Sequence, residues 1–280
     1  MKTKIDKNIV RLILVMGSVI EARDAYTGGH TWRVSQYARL LSEQYGLSNG
    51  EQYIASLGGF VHDLGKVGIP DAILRKPERL TKEEFEIIKL HPEIGKDILK
   101  EHSFTHLILD AVSLHHERND GMGYPYGYGG DEIPLMAKIV SIADAFDAMT
   151  SARPYSKNIT EESALSILTT ESNKQFDKKL VQLFQEISES GKAKHIIGHS
   201  DFEQKMLRCP NCGPVIAVPK TAKEGSIATC KVCSSKFRLH QKEDTYDLEF
   251  TNEKAKTIKP EVELDQINDL VQNAPRSVKI

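Results

Sequence analysis

Histidine and aspartate side chains that could bind metal ions recur between residues 30 and 144 of the chain. They are His30, His62, Asp63, His91, His115, His116 and Asp144. Neutral imidazoles and carboxylates suit hard to borderline divalent metals, and a pair of such metals can activate water for hydrolysis. The adjacent His62 and Asp63 can bind the same metal pair, with the carboxylate bridging both ions. The series therefore predicts a two-metal hydrolytic centre.

Two further charged residues follow these ligands at helical spacing. Lys66 lies four residues after His62, so on a helix both side chains would project from one face. A lysine does not ligate the metals, but it can contact a substrate phosphate. Asp147 lies three residues after Asp144 on the same helical face, and we assign it to substrate binding. A lone buried histidine is more often a hydrogen-bonded core residue than a ligand, but chance does not readily place the whole series in apolar helical contexts.

The four cysteines form a second, separate group of metal ligands. Cys209 pairs with Cys212 and Cys230 with Cys233 in two Cys-x-x-Cys motifs, and seventeen residues separate the pairs. Each pair can turn two thiolates toward one ion, and tetrahedral zinc needs four such ligands. A redox dithiol would account for one pair but not for two. The spacing predicts one structural zinc ion, rather than disulfides, that holds a small module folded.

The composition is that of an ordinary soluble protein. Of the 280 residues, 40% are hydrophobic and 27% are charged, and the formal net charge is −2. So small a charge implies no global attraction to nucleic acid or to a membrane. The most apolar N-terminal stretch, residues 9–20, contains Arg11 and is too short to span a bilayer. It also lacks the cleavage site of a signal peptide, so we expect a cytoplasmic protein whose first core helix lies here.

Helical periodicity extends from the N-terminus to about residue 190. Apolar residues recur at helical spacing in several segments, for example in Phe85, Ile88 and Ile94 and in Ile139, Ile142, Ala143 and Phe146. Thr81 and Thr160 are typical N-terminal caps of helices. A loop rich in glycine and tyrosine follows at residues 118–134. We therefore predict a mainly α domain for residues 1–190.

The pattern changes after a boundary that we place near residues 190–203. The cysteine-bearing residues 204–240 contain short β-prone runs, such as residues 215–218 and 236–239. They carry seven lysines or arginines against one acidic residue, and they contain one aromatic residue. This basic surface could contact a protein or nucleic acid. The scarcity of aromatic residues for stacking makes nucleic-acid binding the less favoured of the two.

The last forty residues, 241–280, are polar and mix acidic with basic side chains. This composition predicts a flexible tail, because so few apolar groups would not offset the entropy of ordering the chain. Alternatively, Ile267, Leu270 and Val271 could form one short helix that binds a partner. Simple disorder is the favoured interpretation.

The chain resembles the HD-GYP family, a branch of the HD superfamily of metal-dependent phosphohydrolases, over residues 10–185. The matching segments are residues 23–30 (RDAYTGGH), 62–70 (HDLGKVGIP), 90–92 (LHP), 115–125 (HHERNDGMGYP), 139–148 (IVSIADAFDA) and 153–155 (RPY). A generic HD domain would lack the paired histidines and the Gly-Tyr-Pro loop. The cysteine segment resembles a zinc ribbon. Together they imply an HD-superfamily helical bundle with a small β zinc ribbon on its C-terminal side.

The resemblance implies a bacterial cyclic di-GMP phosphodiesterase. Its ligands would be the seven histidines and aspartates named above, and its two divalent metals would be iron or manganese, bridged by Asp63. Lys66 and Arg153 would contact the scissile phosphate, which a metal-activated hydroxide attacks. Some members carry a glutamate four residues before the first histidine and bind three metals. Because Tyr26 stands at that position here, we expect two metals and linear pGpG as main product, with slower conversion to GMP.

The resemblance leaves several questions open. Gly123, Tyr124 and Pro125 could cover the metal site or bind a partner such as a diguanylate cyclase, or they could simply shape a turn. The domain could instead be a non-catalytic scaffold that binds cyclic di-GMP or a cyclase, or it could hydrolyse another cyclic nucleotide. We expect no N-terminal sensor domain, so that regulation would come through the zinc module, a homodimer or a protein partner.

Overall fold

The computed structural model describes residues 2–23, 29–76, 78–102, 104–151, 160–198, 205–212, 215–218, 222–230, 233–243, 245–256 and 264–279. The predicted phosphate contact Arg153 and the departure at Tyr26 lie outside these ranges. Across the described residues, we find no helix with the length and apolar character needed to cross a membrane.

Helices form most of the chain up to residue 189, after a short strand β1 (Lys2–Lys4). They are α1 (Lys7–Arg23), α2 (His30–Tyr45), α3 (Asn49–Val61), α4 (Asp71–Leu74), α5 (Lys82–Ile88), α6 (His91–Leu99), α7 (Leu109–Leu114), α8 (Leu135–Thr150), α9 (Glu161–Thr170) and α10 (Lys178–Glu189). The helices α2, α3 and α8 pack against one another. Their fully buried aromatic residues Tyr37, Phe60 and Phe146 fill the core that supports the site described below.

Local sequence determines where several helices begin. Thr81 caps α5 by accepting a hydrogen bond from the backbone N–H of Glu84, while the Glu84 carboxylate accepts one from the N–H of Thr81. This capping box satisfies two backbone donors that the first helical turn leaves unpaired. The same arrangement begins α3, and the Thr160 side chain caps α9. The helix starts predicted at Thr81 and Thr160 are confirmed.

The cysteine-bearing segment folds into small antiparallel sheets. Its strands are β2 (Lys205–Arg208), β3 (Val215–Val218), β4 (Ile227–Thr229), β5 (Ser235–Lys242) and β6 (Thr245–Lys254). The strand β2 pairs with β3, and β4, β5 and β6 form a three-stranded sheet around the buried Phe237 and Leu239. Both predicted β-prone runs are strands. The sheet extends past residue 240, where the sequence had placed the end of the module, because β6 pairs with β5.

The described part of the C-terminal segment does not form the flexible tail that its composition predicts. Residues Leu264–Gln272 form α11, which packs on α1, and Ser277–Lys279 form β7, which pairs antiparallel with β1. Ile267 is fully buried, and Val278 is 1% exposed. The prediction was wrong because a few apolar side chains on one face suffice to pack a short helix. The β module is therefore inserted between two parts of the helical body, and the body includes residues beyond the predicted boundary at 190.

Candidate metal centres

The seven histidines and aspartates that were predicted to bind metals converge in the helical body. His30 begins α2, His62 and Asp63 follow α3, His91 begins α6, His115 and His116 follow α7, and Asp144 lies in α8. Three groups have ligand atoms within 4.8 Å of one another: His30 with His62 and Asp144, His91 with His115 and His116, and His62 with Asp63 and His115. The third group links the first two. The ends of four helices and the middle of α8 thus bring these side chains together.

Asp63 lies between the first two groups. Its Oδ2 atom is 3.4 Å from Nε2 of His62 and 3.8 Å from Nε2 of His30. Its Oδ1 atom is 3.3 Å from Nε2 of His91, in the other group. Each oxygen of one carboxylate therefore faces a different set of imidazoles, which is the position of a ligand that bridges two metals.

The imidazole rings are oriented by backbone carbonyl groups. In three cases Nδ1 donates to the carbonyl oxygen three residues earlier, from His62 to Gly59 at 2.7 Å, from His91 to Ile88 at 2.8 Å and from His115 to Val112 at 3.0 Å. Because a carbonyl only accepts, Nδ1 carries the hydrogen, and Nε2 of the neutral ring offers its lone pair. Nε2 of His62 is buried without a hydrogen-bond partner among the described residues. Such an orphaned atom fits a metal ligand.

The charges of the site also favour cations. Burial lowers the pKa of His91 to about 4 and that of His116 to about 3, so both rings are neutral near pH 7. Burial opposes the charged form of His62 as well, but the Asp63 carboxylate outweighs it and raises that pKa to about 9. Without a metal His62 is therefore protonated near pH 7, and a bound cation would displace that proton. Burial would raise the pKa of Asp63, yet Lys66 and His62 lower it well below its usual value. Asp63 is therefore an anion in a buried site.

Asp147 does not lie where a substrate could reach it. Its Oδ2 atom accepts a hydrogen bond from Nδ1 of His30 at 2.7 Å, and its Oδ1 atom accepts one from Nε of Arg33 at 2.5 Å. The residue is 1% exposed. Although burial would raise the pKa of Asp147, Arg33 lowers it, and the carboxylate stays ionised. We therefore correct the assignment of Asp147 to substrate binding: it orients His30. The overlooked signal was Arg33, a charged residue one turn after His30 on the same helix.

Lys66 lies at the site, but the backbone that places it there is not the helix that the sequence predicted. The helix α3 ends before His62, and Lys66 lies in a 3₁₀ turn, so the two residues do not share a helical face. Nζ of Lys66 is nevertheless 2.7 Å from Oδ2 of Asp63. Gly65 lets this turn touch α6, because a Cβ atom there would lie 1.8 Å from the carbonyl oxygen of His91.

The Gly-Tyr-Pro loop packs beside the histidine pair. The ring of Tyr124 stacks on that of His116, with centroids 4.7 Å apart and an interplanar angle of 26°. Gly123 is closely enclosed, since a Cβ atom there would lie 2.5 Å from Cα of Glu117, and the peptide bond before Pro125 is cis. These contacts give the loop a packing role. A covering or partner-binding role stays a prediction.

The four cysteines meet in the β module. Their Sγ atoms are separated by 3.6 Å between Cys209 and Cys212, 3.6 Å between Cys212 and Cys230, and 3.7 Å between Cys209 and Cys233. A tetrahedron with Zn–S bonds of about 2.3 Å has S–S edges of about 3.8 Å. A disulfide would bring two sulfurs to about 2.05 Å. The spacing fits four ligands of one zinc ion.

Comparison with known proteins places the helical body in a family. The model of the HD domain family matches residues 15–180, and the chain belongs to this family. The chain is 42% identical over 168 residues to the cyclic di-GMP phosphodiesterase response regulator RpfG of Xanthomonas campestris pv. campestris, covering 59% of this chain and 44% of that protein. It is 39% identical over 184 residues to a cyclic di-GMP phosphodiesterase of Thermotoga maritima, covering 65% and 50%. The predicted family resemblance is confirmed.

A different named activity occurs among the relatives as well. The 3'3'-cGAMP-specific phosphodiesterase 2 of Vibrio cholerae is 37% identical over 177 residues, covering 62% of this chain and 34% of that protein. The chain therefore spans half or less of the length of these relatives. The solved structure of the HDG"Y"P protein Bd1817 from Bdellovibrio bacteriovorus shares the fold at a TM-score of 0.50 and 20% identity, covering 59% of this chain and 53% of that one.

Proposed function

We propose that this chain is a metal-dependent cyclic di-GMP phosphodiesterase with two divalent ions, iron or manganese. The position of Asp63 carries the proposal, because its two oxygens face separate groups of imidazoles. Such an arrangement suits a phosphodiester, which must meet cations on its non-bridging oxygens while a water molecule attacks. The names of the relatives support the choice of substrate.

Each group of residues has a distinct role in this proposal. One ion would be held by His30, His62 and Asp144, and the other by His91, His115 and His116, with Asp63 shared. Bound metals would supply an acidified water as nucleophile and neutralise charge on the phosphate. Lys66 would contact the phosphate, where its ammonium group offsets charge that develops during cleavage. Arg153 is proposed as a second phosphate contact from its place in the sequence.

The test is hydrolysis of cyclic di-GMP by purified protein loaded anaerobically with iron or manganese. We expect linear pGpG to accumulate, with slow conversion to GMP, and Asp63→Asn to be inactive. Chromatography separates the two products from the substrate. Metal-replete protein that binds cyclic di-GMP but leaves it intact would instead indicate a scaffold.

A second cyclic dinucleotide is a specific alternative substrate. The chain is 37% identical both to the 3'3'-cGAMP-specific phosphodiesterase 2 and to a cyclic di-GMP phosphodiesterase of Vibrio cholerae. Identity at this level does not separate the two activities. An equimolar mixture of both dinucleotides, followed over time, would give the ratio of their kcat/KM values directly.

We further propose that the four cysteines hold one structural zinc ion and that the β module binds a protein partner. The S–S spacing supports the metal, and the excess of basic residues in this segment supports an acidic partner. A diguanylate cyclase, bound by the Gly-Tyr-Pro loop or by this module, is one candidate partner. Zinc content per chain and co-purification with and without residues 205–256 test the two parts separately.

A further inference from the structure

A cavity of about 310 Å³ lies beside the candidate metal ligands. Its lining includes His116 and Asp144, together with Phe85, Lys89 and Tyr124. The sequence pattern had placed Phe85 on the apolar face of α5, but the structure leaves it 46% exposed. A single exposed apolar residue needs no explanation. Here, however, the exposed ring lines the cavity that holds candidate metal ligands, next to a second aromatic ring.

Tyr124 connects Phe85 to the metal centre. Its ring centroid lies 6.4 Å from that of Phe85, with the two planes 80° apart, and on the other side it stacks on His116. Nζ of Lys89 lies 5.7 Å from the centroid of Phe85 and 5.8 Å from that of Tyr124. Met122, which is 80% exposed, adds a further apolar surface to the same cavity.

We propose that Phe85, supported by Tyr124, is the stacking site for one nucleobase of the substrate. This inference rests on the proposed function and adds where the base binds. A nucleotide combines a phosphate, which cations held by His116 and Asp144 would attract, with a flat base, which aromatic faces stack. The cavity offers both surfaces to one ligand. Because every base has a π-face, the site strengthens binding of purine nucleotides without choosing between guanine and adenine.

Guanosine monophosphate (GMP) and ribose 5-phosphate separate base stacking from phosphate binding, since the second compound lacks the base. Isothermal titration calorimetry of metal-loaded protein would give both Kd values. Phe85→Ala is expected to raise the Kd of GMP roughly 5- to 150-fold and to leave that of ribose 5-phosphate unchanged. Phe85→Trp, which keeps an aromatic ring at this position, should bind GMP about as tightly as the wild type. Ile87→Ala is the matched control, because Ile87 is exposed on the same helix but does not line the cavity.

Three outcomes would overturn the inference. An unchanged Kd for GMP would show that Phe85 does not contact the base. An equal rise for both compounds would place the effect on phosphate binding instead. A rise for GMP without a similar rise for adenosine monophosphate would indicate reading of the base edge rather than stacking. If the wild-type protein binds GMP through Phe85 but does not cleave cyclic di-GMP, the proposed substrate fails while the stacking site stands.

Discussion

His30 donates its Nδ1 hydrogen to the carboxylate of Asp147 at 2.7 Å, and this bond joins the first residue of α2 to α8. Arg33 holds the other oxygen of that carboxylate. A carboxylate in this position fixes the ring of a metal-binding histidine and increases the electron density at its Nε2 atom. In the proposed metal centre, Asp147 would therefore act on the metal through His30.

Asp147→Asn should weaken metal binding about 10- to 100-fold, because the neutral amide polarises His30 less. Competition with a chelator of known affinity measures the change. Asp97→Asn, on the exposed surface of α6, serves as control and should have no effect. An affinity for metal that stays within twofold of the wild type would contradict the positioning role.

Lys66→Gln should lower kcat by about 10²- to 10³-fold, the usual cost of removing one group that stabilises developing charge. Metal content should be retained, because an ammonium group is not a ligand. Steady-state kinetics with metal analysis of the same sample measures both. Lys100→Gln, which removes an exposed surface charge, should behave as the wild type. A kcat of Lys66→Gln equal to that of the wild type would show that Lys66 does not take part in catalysis.

Gly65→Ala should disrupt the metal centre without a change in any ligand. The added Cβ atom would overlap the carbonyl oxygen of His91 at 1.8 Å, so the turn that carries Lys66 must move away from α6. We expect metal bound per chain to fall and activity to be lost. Gly17→Ala is the control, since its Cβ atom would make ordinary contacts of 3.4 Å or more. Full metal occupancy in Gly65→Ala would argue against this packing.

Ile267→Ala should destabilise the helical body by about 2 to 5 kcal/mol, the usual cost of such a truncation in a core. Ile267 is fully buried where α11 packs on α1. Urea denaturation followed by circular dichroism measures the free energy of unfolding. Leu264 lies on the same helix but is 55% exposed. Leu264→Ala should therefore change the free energy of unfolding by no more than about 0.5 kcal/mol. Equal free energies of unfolding for both variants would indicate that the C-terminal helix is not packed and would support a flexible tail instead.

Cys230→Ser should release one zinc ion per chain and unfold the β module, because the metal supplies much of the folding free energy of so small a unit. The iron or manganese of the helical body should remain. Elemental analysis measures zinc, iron and manganese per chain, and limited proteolysis shows whether the β module is folded. Thr229→Ser, at the neighbouring position, should retain zinc. Zinc retained in Cys230→Ser would contradict a four-cysteine site.

The sequence by itself determined the chemistry of both candidate metal centres. Few residue types bind metals. A run such as His62-Asp63, or two Cys-x-x-Cys pairs, can therefore be recognised as a metal site from the sequence alone. It also determined several helix starts, because a cap such as Thr81 acts on a backbone donor three residues away. Interactions of this kind depend on neighbours in the chain alone.

Only the tertiary structure decided which of these residues face one another. Asp147 pairs with Arg33 across 114 residues, and this turned an expected substrate contact into a support for His30. The exposure of Phe85 was equally hidden, because helical periodicity marks an apolar face without showing what covers it. The order of the C-terminus rests on β1 and β7, whose pairing joins opposite ends of the chain. Such contacts arise from packing between distant elements, and no local pattern records them.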